Sequence, residues 1–129
     1  MPTIIGVGLD VVETDRLAQV LARQGDRFEQ RVYGPRELSA CAGRGDRVTA
    51  LASSFAAKEA FLKALGTGLT GGLSLRQVEV VTSNGGVPRV ALCGVTAIRA
   101  RERGVRRVHL GLGLEPGLAA AVVVLEGEC

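Results

Sequence analysis

Aromatic side chains are nearly missing from this 129-residue sequence, which has no tryptophan, one tyrosine and three phenylalanines. A core must therefore be assembled from Val, Leu, Ile and Ala. The 47% hydrophobic content is enough for that, and the length fits one domain over residues 1–129. The same scarcity removes the stacking platform that single-stranded nucleic acid usually needs. A net charge of +3, from 16 basic and 13 acidic residues, is too mild to argue for nucleic acid by itself. There is no run of about 18 apolar residues, so no membrane span is expected. Residues 1–3 lack a basic stretch, and the apolar segment 4–9 is too short for a signal peptide, so a buried first core strand is expected there. Three widely spaced cysteines (Cys41, Cys93, Cys129), no C-x-x-C pair and a single histidine, His109, argue against structural disulfides and zinc. They fit a reducing cytoplasm. Cys93 is expected within a strand as a small apolar filler.

What the sequence does have is the segment FAAKEAFLKALGTG at residues 55–68. It reads as a helix followed by a glycine turn. Glu59 and Lys63 are four apart and share a helix face. Gly66 can end the helix, and Gly68 lets backbone approach a ligand closely. A carboxylate suited to a hard metal, a lysine for phosphate and a glycine-rich edge suggest a phosphate–metal site. The same Glu–Lys spacing also occurs as an ordinary surface ion pair. A second carboxylate, Asp10, is expected at the end of strand 3–9, just before a helix that Thr14 could cap.

The rest reads as an alternation of short elements. Helices are expected at 13–23, 26–32, from about 35, at 48–65 and at 95–103. Strands are expected at 3–9, 77–83, 88–93, 106–113 and 119–125. Asn84 and Gly85 form a hairpin turn signal. The expected fold is α+β: an antiparallel sheet of about four to five strands packed on the long helix. In residues 108–114 one face is Val and Leu, the other His and Gly. A face that small allows another surface to approach closely. Phe55, Phe61, Leu62 and Leu65 are expected in the core. The late arginines (99, 101, 103, 106, 107) read as a solvated face.

Gly8, Asp10 and Arg16, followed by Phe55, Lys58, Glu59, Lys63, Gly66 and Gly68 in this order and spacing, resemble the holo-acyl-carrier-protein synthases. These are the small class of 4′-phosphopantetheinyl transferases. The resemblance covers nearly the whole chain, including the G-x-P pattern at Gly86 and Pro88 and the last two strands. It implies magnesium-dependent transfer of phosphopantetheine from coenzyme A to a serine of an apo acyl carrier protein, releasing adenosine 3′,5′-bisphosphate. It implies that Asp10 and Glu59 hold the magnesium ion, that Lys63 meets a coenzyme A phosphate, and that Gly66, Thr67 and Gly68 border the nucleotide. Lys58 has two readings, phosphate ligand or charge partner of a carboxylate. Arg16, with Arg23 and Arg27, would contact the acidic carrier protein. The serine's base is either a metal-bound water or hydroxide, or a carboxylate such as Glu59. The resemblance further implies a homotrimer with sites between protomers, in a cytoplasmic enzyme of lipid biosynthesis.

Two positions depart from the family pattern. Leu114 stands where many members have the histidine of a Ser-x-Ser/Thr-His run, beside Glu115. Ser54 stands where many have arginine, which loses a bidentate phosphate fork; Arg44 or Arg47 could compensate. These departures support an alternative: a catalytically degenerate relative that binds carrier protein or coenzyme A without transfer.

Overall fold

The computed structural model describes residues 1–82 and 85–128. Five strands and five helices follow in the order β1 (Pro2–Glu13), α1 (Thr14–Gln24), α2 (Asp26–Val32), α3 (Pro35–Cys41), α4 (Arg47–Leu65), β2 (Val78–Thr82), β3 (Pro88–Leu92), α5 (Gly94–Glu102), β4 (Val105–Glu115) and β5 (Leu118–Glu128). A single 3₁₀ turn at Leu75–Gln77 leads into β2. The α+β expectation holds, but the strands divide into two antiparallel sheets. One is three-stranded in the order β1-β5-β4 and the other is the β2-β3 hairpin. The turn expected at Asn84 lies outside the described residues.

Helix α4 is the centre of the packing. It carries Leu51, Ala56, Ala57, Ala60, Phe61 and Leu65, all fully buried, on more than one side. A helix apolar nearly all round is one enclosed by other elements. The β1-β5-β4 sheet covers one side, and α3 with β2 covers another. Gly66 ends the helix in the left-handed conformation (φ 82°), its N–H donating back to Leu62 O and Lys63 O.

β1 is longer and less buried than the sequence suggests. It runs three residues past Asp10, which pairs with Ala121 in mid-strand rather than standing at the strand's end. Thr14 is the first residue of α1, not its cap; its N–H donates to Gly117 O at 3.0 Å. Register explains the exposure. Val7, Val124 and His109 form one cross-strand row, Leu9, Val122 and Gly111 the next, and Val11, Ala120 and Gly113 a third. These rows share one face, on which Val7, Leu9 and Val11 are exposed. Gly8, Asp10 and Val12 take the other face, toward α4. Cys93 is exposed and caps the start of α5, instead of filling a strand.

The closeness of β1 to α4 depends on two glycines. A Cβ on Gly6 would stand 2.0 Å from Ala64 O, and one on Gly8 would stand 1.9 Å from Ala60 O. Both obstacles are helix backbone, so a side chain at either position forces strand and helix apart. Gly8→Ala is expected to destabilise the fold by about 1–3 kcal/mol. It should also displace Asp10, two residues along the same strand, from α4. Urea denaturation and a transfer assay on the folded fraction check both parts.

Candidate active site

The close approach of β1 to α4 brings together Asp10, Glu59 and Lys63. Lys63 Nζ donates to Asp10 Oδ1 at 2.8 Å and to Leu9 O at 3.1 Å. Lys63 therefore pairs across the fold with Asp10, not along its helix with Glu59. The surface-pair reading of Glu59–Lys63 is corrected accordingly: among the described residues, the ion pair of Lys63 is with Asp10. Asp10 raises the Lys63 pKa, by that hydrogen bond first and by its charge second.

Glu59 is half-buried, and its carboxyl is raised above the usual carboxylate range. Desolvation is the main cause, the negative charge of Asp10 the next, and Lys63 opposes both. Asp10 and Glu59, 49 residues apart in sequence, are thus near enough to repel each other. A cation between two such carboxylates would relieve that repulsion, and in this structure the Lys63 ammonium relieves part of it. Among the described residues no group of three or more His, Cys, Asp or Glu side chains could hold a metal. Two carboxylates suit magnesium, which takes one or two protein carboxylates and fills its remaining positions with phosphate oxygens and water. The residues present fit that ion.

Lys58 is adjacent to Glu59 but points about 100° away around the helix, into the interior. Its side chain is fully buried, and its ammonium donates to Glu37 Oε1, to Leu75 O at 3.0 Å and to Val78 O at 2.6 Å. Three protons serve three acceptors, leaving none for a phosphate. The phosphate-ligand expectation for Lys58 is corrected; it is the charge partner of a carboxylate, and that carboxylate is Glu37. Glu37 also accepts from Gly34 N–H at 2.8 Å and Val80 N–H at 2.9 Å. Beside it, Glu79 accepts from Arg36 N–H and Nε, both at 3.0 Å. Sequence reading did not find Glu37. An acid three residues after Gly34 at a helix start looks like a capping residue, and it is one as well.

Gly66, Thr67 and Gly68 follow directly on α4. Gly66 and Gly68 have positive φ, and Thr67 is half-buried with its hydroxyl on Gly68 O at 3.3 Å. Arg16, Arg23 and Arg27 are exposed along α1 and the start of α2. Arg16 stands with Asp10, Leu17, Val20, Phe28 and Phe55 around an open, mostly apolar groove of about 260 Å³. Phe55, expected in the core, is half-buried and lines this groove, its ring tilted against Phe28 at 6.1 Å. Neither phenylalanine was identifiable as a site residue from sequence, where an apolar groove wall and a core position look alike.

The two departures from the family pattern meet in one place. Ser54 and Leu114 both line a cavity of about 180 Å³ with Thr49, Ser53 and Arg44. The Arg44 guanidinium is held bidentately by Asp46 at 2.7 and 2.8 Å. Arg47 does not reach this cavity; it pairs with Glu29 at 2.7 Å.

The structure is thus an α+β fold centred on α4, with Asp10 and Glu59 close together, Lys63 bonded to Asp10 and a glycine turn after the helix. The chain belongs to the 4′-phosphopantetheinyl transferase superfamily, whose family model matches residues 6–122. It is 47% identical over 128 residues to a holo-[acyl-carrier-protein] synthase of Anaeromyxobacter dehalogenans, covering 96% of this chain and 97% of that relative. Its structure resembles that of the holo-[acyl-carrier-protein] synthase from Neisseria meningitidis (TM-score 0.89, 34% identity, 95% and 98% of the two chains). It also resembles a holo-(acyl-carrier-protein) synthase from Bacillus anthracis in complex with CoA (3′,5′-ADP) (TM-score 0.78, 32% identity, 97% and 98% of the two chains). The chain is accordingly an enzyme, a phosphopantetheinyl transferase.

Proposed function

We propose that this protein transfers 4′-phosphopantetheine from coenzyme A to a serine of an apo acyl carrier protein, with magnesium, and releases adenosine 3′,5′-bisphosphate. The observation that carries the reading is the Asp10–Glu59 pair, two mutually repelling carboxylates brought together by Gly6 and Gly8. Asp10 and Glu59 would hold the magnesium ion, which would supply charge neutralisation for the pyrophosphate and for the departing bisphosphate. Lys63 spends two of its three protons on Leu9 O and Asp10 Oδ1, which fixes its ammonium beside Asp10 and keeps one proton for a phosphate oxygen. Gly66, Thr67 and Gly68 give the nucleotide a backbone border without side-chain bulk. The serine oxygen attacks the β-phosphorus as its proton passes to a base such as the Glu59 carboxylate, the phosphoanhydride bond to the α-phosphate breaks, and the bisphosphate leaves.

The carrier protein docks where Arg16, Arg23 and Arg27 present positive charge beside the apolar groove of Phe28 and Phe55. Complementary charge would steer that encounter and make it salt-sensitive. The exposed apolar face of the β1-β5-β4 sheet supports self-association, which the family likeness makes a homotrimer, and the unbridged Cys41 and Cys93 fit a reducing cytoplasm; the single domain and the role in lipid biosynthesis rest on the family match over residues 6–122. No described helix is long and apolar enough to cross a membrane.

The degenerate-binder alternative has its own observation. In the cavity that holds Ser54 and Leu114, Asp46 already occupies the Arg44 fork. Product analysis decides between the readings. Chromatography of the reaction should show one adenosine 3′,5′-bisphosphate released per coenzyme A consumed, and only with apo carrier protein present. Binding of either substrate without release of the bisphosphate would favour the binder.

A further inference from the structure

We propose that Arg103 is a positioning residue for coenzyme A, acting by locking the C-terminus of α4 and the turn that follows it. The proposal rests on the reading of Gly66–Gly68 as the nucleotide border. The last carbonyls of a helix lack partners within it. Here Leu65 O, the final carbonyl of α4, accepts from Arg103 Nη1 at 2.6 Å, a bond spanning 38 residues. The guanidinium also places positive charge at the negative end of the helix dipole. Arg103 sits immediately after α5, and the same helix reaches the far side of the turn. A Cβ on Gly71 would meet Arg99 Nη2 at 3.1 Å, and one on Gly72 would meet Val95 at 3.7 Å.

The turn itself has little to hold its shape. Gly66, Gly68, Gly71 and Gly72 all have positive φ, and such residues restrict the backbone least. Its described internal hydrogen bonds are those of the Thr67 and Thr70 hydroxyls and of Leu73 N–H to Thr70 O at 3.4 Å. Its conformation is therefore imposed from outside, by α5. Arg99 thus leaves the solvated set and Arg103, though exposed, is tied to Leu65 O, whereas Arg101, Arg106 and Arg107 remain exposed.

Calorimetric titration with coenzyme A and magnesium, together with steady-state transfer, tests this in the full-length protein. Arg103→Ala should weaken coenzyme A binding by about three- to tenfold, because the unlocked turn must be ordered on binding, with the worth of the lost hydrogen bond as the upper bound. KM for coenzyme A should rise by more than kcat falls, with KM for the carrier protein unchanged. Arg103→Lys should restore part of the affinity, because an ammonium can still donate to Leu65 O. Equal coenzyme A affinity in wild type and Arg103→Ala would overturn the proposal, as would a parallel rise in both KM values or a lysine variant no better than alanine. A wild-type protein that binds no coenzyme A would instead overturn the proposed function.

Discussion

Glu59→Gln and Asp10→Asn should each lower kcat for phosphopantetheine transfer by at least about 10²-fold, or about 2.7 kcal/mol of transition-state stabilisation. Both substitutions keep size and one acceptor oxygen and remove one negative charge, so they test charge at the site rather than shape. The fold should tolerate them. The Asp10–Lys63 pair is half-exposed on the lysine side, and such pairs contribute little to stability. Glu59 is raised by burial and by Asp10, so neutralising it removes a repulsion instead of an attraction. Added magnesium should not rescue either variant fully. Wild-type turnover by both would remove these carboxylates from the chemistry. Parallel thermal melts are the control, and variants that lose activity should melt close to wild type.

Lys58→Met should do the reverse, unfolding the protein before it affects chemistry in the folded fraction. Removing one partner of a buried ion pair typically costs about 3–5 kcal/mol. The pH dependence should change with it. Burial already raises Glu37 above its ordinary 4.5, and Lys58 is the largest opposing influence. Without Lys58 the Glu37 carboxyl rises further. The folded state then keeps a proton that the unfolded chain has lost, so stability is greatest below about 4.5 and falls as pH rises through the higher folded value. Denaturation midpoints at pH 5 and pH 8 should show the variant less stable at pH 8, relative to wild type. An apolar replacement of both partners often recovers stability at buried pairs. Here it should not, because Gly34 N–H, Val80 N–H and Val78 O would lose these side-chain partners, at about 1–3 kcal/mol for each buried group left unmade, and Leu75 O would keep only Val78 N–H. A stable Lys58→Met, Glu37→Leu double variant would contradict this account of the pair.

The parts of the structure legible in the sequence are those set by local pattern. Residues 48–65 read as a helix because no Gly or Pro interrupts a stretch rich in Ala, Leu and Lys before Gly66, and α4 ends at Leu65. The positions that misled are those decided by tertiary contact. Val11, Val12 and Glu13 precede a helical pattern and so resemble its start, yet pairing with Leu118–Ala120 keeps them in β1. Lys58 and Glu59 look like one motif, but neighbours in a helix point about 100° apart. One of them had to face away from any site holding the other. Which one faced away depended on Glu37, an acid on another element, and no local pattern in α3 announces that partner. The division of the strands into two sheets was equally hidden, because alternation within a strand does not name its neighbour. Asp10 was found by its motif, but the reason it reaches α4 is the absence of a side chain at Gly6 and Gly8, and a glycine in sequence does not say what backbone lies against it.

Intact-mass analysis of an apo acyl carrier protein incubated with this protein, coenzyme A and magnesium tests the central claim most directly. The account predicts a mass gain of one phosphopantetheine on the carrier, abolished by EDTA and absent with Glu59→Gln. An unmodified carrier with the wild-type protein, or a gain that persists in EDTA and with Glu59→Gln, would contradict it.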